Sequence, residues 1–437
     1  MRLRSLAILL AGAILAACSA ALPAARSTPV PHAGLYVDAA QRLGPISRYV
    51  YGSNTGPWQT ITVDERKRSK EAGISMLRWP GGDYGDEHDP DPAQLDEFMA
   101  LCHEIGAEPL IHVRLAESTA EKAAALVHLA NVEKRYKVHY WEVGNEPDLY
   151  ASKRHMSYTV ADYVRDFKAF RAAMRAVDKT IVVMGPAISQ YTGTAQDARD
   201  AAGVQWMDGF LKGVGREVDM VSYHRYPFGQ PPATPQTLLA DPPAWSRAIE
   251  HLRQQIRTTT GKDLPIAVTE ANSDWLGPTG LEAGPDTHYN AIWWADVLGR
   301  LIRGQATIVT QFALGDVRAI GMFGDPFYDP NPFPIFQVYP LYKHFGTQLL
   351  WATSDDDSLP LFAAARDDGT LTLVLVNHSQ KPRKAPITID GFHPSGPAEV
   401  WSFAADHPVQ QRGTVDLKQP VTLEPLSATL LVVPGRP

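Results

Sequence analysis

From about residue 46 to residue 346 the chain alternates eight times between a short apolar run and a longer segment of helical spacing. The short runs are rich in Val, Ile, Tyr and Met and fall at 49–54, 75–82, 109–115, 140–147, 181–188, 220–227, 265–272 and 307–314. Apolar residues recur at three and four spacing, with charges between, over 63–72, 93–105, 119–131, 160–177, 204–214, 244–259, 289–303 and 336–345. Short apolar runs read as buried strands and the three-four spacing as amphipathic helices. Eight such units in series predict a closed (β/α)8 TIM barrel over 33–346 rather than a doubly wound open sheet. No Gly-x-Gly-x-x-Gly follows the first strand, which also argues against a dinucleotide fold. In a barrel the C-terminal strand ends form the functional face, so site residues should fall there.

After Gly346 the rhythm changes. Short strand-like runs at 359–365, 370–376, 386–389, 399–403, 421–423 and 428–433 are separated by Gly, Asp, Pro and Asn, and Asp368-Gly369 is a hairpin signal. Residues 347–437 therefore read as a C-terminal antiparallel β-sandwich, and the early strand 34–38 is a candidate to pair into it.

The first residues read as a targeting segment. Arg2 and Arg4 precede a short apolar stretch from Leu6 to Ala17, the pattern of a signal peptide. Its end, Leu15-Ala16-Ala17-Cys18, resembles the lipobox of bacterial lipoproteins. That resemblance implies cleavage before Cys18, a lipid on its sulfur and a membrane anchor outside the cytoplasm. An ordinary secretory signal cut near Ala20 is the alternative. Residues 19–32, small and Ala/Pro-rich, suit a tether. The other cysteine, Cys102, sits in an apolar helical run and reads as a buried thiol. A net charge of −7 with interspersed signs offers no basic face for nucleic acid.

Two acidic positions stand out against the strand rhythm. Trp141-Glu142-Val143-Gly144-Asn145-Glu146-Pro147-Asp148 ends the fourth strand, and Val268-Thr269-Glu270-Ala271 ends the seventh. Strand alternation places Glu142, Gly144 and Glu146 on one face. Glu146 then lies at the lip, and Glu142 lies deeper, as a structural partner for an Arg. Strands four and seven face each other across a barrel mouth, so two carboxyls converge there. One carboxyl as acid and one as nucleophile is the arrangement that cleaves a glycosidic bond, and in retaining enzymes the two lie ~5–5.5 Å apart.

In these motifs the chain resembles glycoside hydrolase clan A, the retaining (β/α)8 glycosidases, with Asn-Glu ending strand four and Glu ending strand seven. The resemblance implies Glu146 as acid/base, Glu270 as nucleophile and Asn145 as a donor to the substrate 2-hydroxyl. It matches Arg78, in Leu77-Arg78-Trp79-Pro80-Gly81-Gly82, to an arginine that keeps the nucleophile ionised. It matches His224 and Tyr226, in Ser222-Tyr223-His224-Arg225-Tyr226, to a site histidine and a tyrosine that bonds the nucleophile. Phe312 stands where an aromatic sugar platform is usual. The motifs look closest to families 79, 39 and 51. The strand-one end, Tyr51-Gly52-Ser53-Asn54, lacks the Glu that family 51 arabinofuranosidases place there, which weighs against that activity.

Asn-Glu-Pro alone also describes a common turn; its position on the fourth of eight strands gives it weight. Asn54, Tyr150 and Trp275 follow strand ends and are candidates for substrate contact, since sugar faces stack on such rings. Trp293 and Trp294 lie in a helix and read as core. The run Asp83, Asp86, Glu87, His88, Asp89 reads as a solvated loop over the mouth, with no metal or organic cofactor expected. His112, mid-strand, is open between site and structural roles. Three functions remain: a hydrolase of an oligo- or polysaccharide, an exopolysaccharide-associated glycosidase or transglycosylase, and a silent sugar-binding lipoprotein. Retention of both glutamates weighs against the last.

Overall fold

A computed structural model describes residues 33–315, 319–328 and 331–435. The signal segment, Cys18 and the tether lie outside the described residues. Strand β1 (Leu35–Pro45) precedes eight parallel strands: β2 (Gly52–Asn54), β3 (Met76–Trp79), β4 (Glu108–Val113), β5 (Tyr140–Val143), β6 (Val182–Ile188), β7 (Met220–Arg225), β8 (Ile266–Ala271) and β9 (Ile308–Gln311). They close in chain order, β9 pairing back on β2. Thr or Asp residues start several of the intervening helices by accepting a backbone N–H, as Thr62, Asp91 and Thr159 do.

Two layers fill the barrel. Met76, Leu110, Met184, Met220, Ala267 and Ile308 form an apolar cluster toward the strands' N-terminal ends. Toward the C-terminal ends the buried side chains become polar: Asn54, Arg78, His112, Glu142, His224 and Thr269. Burying such groups costs free energy unless they are paired, and Asn54, Arg78, Glu142 and Thr269 bond one another here.

The C-terminal region comprises β10 (Gln348–Thr353), β11 (Leu361–Ala365), β12 (Leu371–Asn377), β13 (Arg383–Ala385), β14 (Ile387–Asp390), β15 (Ala398–Ala404), β16 (His407–Val415), β17 (Val421–Leu423) and β18 (Ser427–Val433). Its layers are unequal. One sheet has eight strands in the order β14-β1-β10-β11-β12-β18-β15-β16, and the second is the pair β13-β17. β1 pairs antiparallel with β10 and parallel with β14.

One face of the large sheet packs with β13 and β17 through Leu361, Leu373, Leu431, Ala385 and Val421. Its other face meets the helix His288–Arg303, in which every residue from Asn290 to Ile302 is buried. A helix enclosed by barrel and sheet has no solvent face, which explains why Trp293 and Trp294 are both core. At Gly299 the helix touches the Phe362 ring so closely that a Cβ would run into it. Gly to Ala in a helix interior ordinarily stabilises by about 1 kcal/mol. Here overpacking, roughly 1–3 kcal/mol, outweighs that gain. Gly299→Ala is therefore expected to lower the melting temperature; an unchanged or higher value would contradict this packing.

Candidate active site

The two glutamates reach the mouth by different backbone devices. β5 ends at Val143, and the chain then turns through Gly144 at φ 75° and Glu146 at φ 46°. A Cβ at Gly144 would press on Leu115 at 2.8 Å, and the left-handed conformation adds a second demand for glycine. Strand alternation therefore stops before Glu146, contrary to the expectation from the sequence; the turn aims its side chain. A left-handed glutamate costs roughly 1–3 kcal/mol and persists where its surroundings over-determine it. Here its N–H donates to Ala187 O at 3.0 Å.

On β8 the device is a bulge. Tyr223 pairs with Val268, but the next residue, His224, pairs with Glu270, so Thr269 is extra. The bulge lets consecutive residues both serve the interior. Thr269 Oγ1 donates to Glu142 Oε1 at 2.8 Å, while Glu270 receives Arg78 Nη1 and the Tyr226 hydroxyl, each at 2.7 Å.

Arg78 organises this layer. Fully buried, it donates Nε to Glu142 at 2.7 Å, Nη1 to Asn54 Oδ1 at 3.0 Å and Nη2 to Asn145 Oδ1 at 2.9 Å, besides its bond to Glu270. The planar five-donor fork of arginine suits four partners in one plane; a lysine could not serve them. Burial would lower the Arg78 pKa, but Glu142 and Glu270 outweigh it and raise it above its ordinary value, so the guanidinium stays charged.

Glu146 has a different environment. Its Oε1 lies 3.2 Å from His224 Nδ1, and its Oε2 accepts from Lys153 Nζ at 2.8 Å. Burial pushes its carboxyl up, yet the His224 hydrogen bond and the Lys153 charge prevail and hold it below the usual carboxylate range. Burial would depress His224, but the charge of Glu270 and the bond to Glu146 raise it. One oxygen from each glutamate and a His224 nitrogen lie within 4.8 Å of one another. A cation could be imagined among these three groups. Arg78, Lys153 and the Tyr226 hydroxyl already bond the two carboxylates, so a metal would have to displace them. Asp406, His407 and Glu424 in the C-terminal region also converge, with Arg412 already on Glu424.

A model of glycosyl hydrolases family 39 matches residues 128–400, more than half the chain and both glutamates. The chain belongs to glycosyl hydrolases family 39. It is thus a glycosidase of clan A, on the barrel the clan shares. Alpha-L-arabinofuranosidase C of Emericella nidulans is 22% identical to this family 39 chain over 191 residues. That match spans 34% of this chain and 37% of the length of the curated relative. The alpha-L-arabinofuranosidase of Thermotoga maritima, solved with arabinose, superposes with TM-score 0.74 at 19% identity, covering 92% of this chain and all of that one. A Paenibacillus polymyxa family 44 xyloglucanase, solved with xyloglucan, superposes with TM-score 0.73 at 16% identity, covering 92% of this chain and 99% of that one. At these identities the likeness is one of fold.

Of the residues singled out in the family 39 sequence, Glu146, Glu270, Asn145, Arg78, His224 and Tyr226 meet in one cluster. Asn54 belongs to it but is fully buried. Its Nδ2 donates to Thr269 O at 3.0 Å, so it braces Arg78 and does not face a ligand. Tyr150 is corrected in the same way: only 1% exposed, it donates its hydroxyl to Asp86 rather than opening onto the mouth. The short helix Tyr150–Lys153 turns that ring inward. Trp275 is 57% exposed on the loop after β8. Phe312 stacks on Trp58 at 5.6 Å and meets Tyr226 edge-on.

The acidic run is not uniformly solvated. Asp86 is buried and accepts the N–H groups of Leu115 and Asn145 at 2.8 and 2.9 Å, anchoring the turn that carries Glu146. Lys153 escaped the sequence reading. Glu146 lies outside the helix that carries Lys153, so helical spacing gave no signal for the pair.

Proposed function

We propose that this family 39 chain is a retaining hydrolase of O-glycosidic bonds in an oligo- or polysaccharide. Glu270 is the nucleophile and Glu146 the acid/base. The observation that carries the reading is the approach of the two carboxylates, with oxygens within 4.8 Å. Retaining enzymes need ~5–5.5 Å, whereas an inverting pair stands ~6.5–9.5 Å apart to admit a water. The environments divide the roles. Glu270 holds two donors on separate oxygens, Arg78 and Tyr226, as a fixed anionic nucleophile requires. Glu146 sits at 9% exposure at the lip, where a leaving oxygen and then a water can reach it.

In the first step Glu146 protonates the leaving oxygen while Glu270 attacks the anomeric carbon. In the second, Glu146 takes a proton from water, which releases the sugar from Glu270. Asn145, oriented by Arg78 and by Asp86, is placed to donate to the sugar 2-hydroxyl. Trp275 offers a face for a further sugar ring. On the separate ground of the Leu15-Ala16-Ala17-Cys18 run, we also propose that the protein is an exported lipoprotein, held at a membrane through Cys18.

The test is the configuration of the product as it forms. An aryl glycoside cleaved by the protein is followed by proton NMR from the first turnovers, before mutarotation. The first anomer is expected to keep the configuration of the substrate. The opposite anomer would overturn the double-displacement reading.

A further inference from the structure

Both oxygens of Glu146 have partners. Oε1 meets His224 Nδ1 at 3.2 Å and Oε2 meets Lys153 Nζ at 2.8 Å. A carboxyl held this way presents no oxygen to a glycosidic bond, so one contact must open before a proton can be given. The two contacts are unequal in mobility. His224 is fully buried on β7. Lys153 ends the four-residue helix Tyr150–Lys153, its side chain is 40% exposed, and its ammonium already has a second partner. Nζ lies 2.9 and 3.1 Å from the two oxygens of Asp83. A flexible four-carbon stem with rotatable donors can move from one carboxylate to the other and keep its own charge paired.

We propose that Lys153 is a positioning residue for Glu146: it holds Oε2 in the free enzyme and shifts wholly onto Asp83 when a glycan enters, so that Oε2 takes up a proton from water and can give it to the leaving oxygen. This rests on the reading of Glu146 as acid/base and adds a movable counter-ion to it. The groups that face Glu146 are His224 from β7, Glu270 from β8 through His224, Asp148 from the following turn, Tyr226 and Lys153, with Asp83 behind Lys153. Asp148 is pushed up to about 6 by burial first, with the Glu146 charge adding to it. Among these groups in the described residues, Lys153 is the one cation with a route toward solvent.

The proposal makes the pH profile its readout. The basic limb of kcat/KM reports the free enzyme, in which the acid must be protonated. A cation on Glu146 moves that limb to lower pH. Lys153→Met is therefore expected to move it upward by roughly 1–3 units, the range for loss of an adjacent opposite charge. Lys153→Arg keeps the cation and should keep the limb near its wild-type place. Asp83→Asn removes the alternative partner, so Lys153 stays on Glu146; the limb should move downward and kcat should fall. Shifts of opposite sign from two members of one ion-pair cluster are not what a loss of packing produces.

The measurement is the kcat/KM profile of the full chain and these three variants, on an alkyl glycoside of the sugar that the wild type cleaves fastest, whose leaving group needs the proton. Melting curves confirm folding, and Asp83→Asn stands as an independent test if Lys153→Met does not fold. Glu146→Ala is run beside them on para-nitrophenyl and alkyl glycosides. If Glu146→Ala cleaves alkyl glycosides like the wild type, the acid/base reading fails and this proposal falls with it. If Glu146→Ala loses alkyl glycosides selectively while the basic limb stays put in Lys153→Met and Asp83→Asn, the role of Lys153 alone is overturned.

Discussion

Glu270→Gln lowers kcat by ~10⁴-fold or more, equivalent to about 5.5 kcal/mol of lost transition-state stabilisation, and leaves the fold as stable as the wild type. The activity loss follows from the role: an amide cannot form the glycosyl ester, and among the described residues no other carboxylate bonds both Arg78 and Tyr226. The stability follows from charge counting. Arg78 is bonded to two buried carboxylates, Glu142 and Glu270, at 2.7 Å each. Removing one charge leaves Arg78 and Glu142 as a matched pair. The amide oxygen of glutamine can still accept from Arg78 Nη1, and the Tyr226 hydroxyl can turn to accept from the amide NH2. Two measurements check this. Initial rates on the responsive aryl glycoside give kcat, and mass spectrometry after a 2-fluoro glycoside should find the sugar on the Glu270 peptide in the wild type and not in the variant. Wild-type turnover by Glu270→Gln would sink the assignment of the nucleophile.

The sequence disclosed this site where the chain runs in strands and concealed it where the chain turns. Counting buried runs is enough to place Glu270 and the Asn145-Glu146 pair at the ends of the seventh and fourth strands, because a closed parallel barrel repeats one unit. Arg78 and His224 were legible for the same reason. What the count cannot reach is local. The bulge at Thr269 depends on the pairing of β7 with β8, and nothing in Val-Thr-Glu-Ala marks it. Asp86 sits among four other polar residues, and its burial depends on three donors from distant elements: Leu115, Asn145 and Tyr150. Tyr150 was misplaced because a tyrosine after a strand end gives no sign of which way the next helical turn will face. In the C-terminal region the same limit hid β10 and β16. β10 follows the segment read as the barrel's last helix, 336–345, with only Gly346 and Thr347 between, and β16 is a largely exposed edge strand carrying Pro408, without alternation to reveal it. Sequence periodicity reports burial within one element; the pairing of side chains from different loops is a tertiary fact.

Arg78→Met should do the reverse of Glu270→Gln: it removes activity and also destabilises the fold, by roughly 3–5 kcal/mol at neutral pH, the cost of breaking a buried pair by removing one partner. Methionine fills much of the arginine stem, so the loss is not chiefly a cavity. It arises because Glu142 and Glu270 would be buried with no cation between them, Glu142 keeping Thr269 Oγ1 and Glu270 keeping the Tyr226 hydroxyl. Two like charges so placed resist ionising together. The sign of the pH dependence follows. In the variant, the folded state holds protons on these carboxyls more tightly than the unfolded chain does. The destabilisation is then smallest in acid, where both states are protonated, and grows as pH rises through the carboxylate range. Adding Glu142→Gln to Arg78→Met removes one of the stranded charges and should recover part of the lost stability at neutral pH without recovering activity, since Asn145 and Glu270 would still lack the guanidinium that orients them. Thermal melts of the single and double variants from acid to neutral pH separate these outcomes. An Arg78→Met protein that melts like the wild type at neutral pH would mean that the buried charges are neutralised by some other route, and the account of the polar layer given by Arg78 would have to be abandoned.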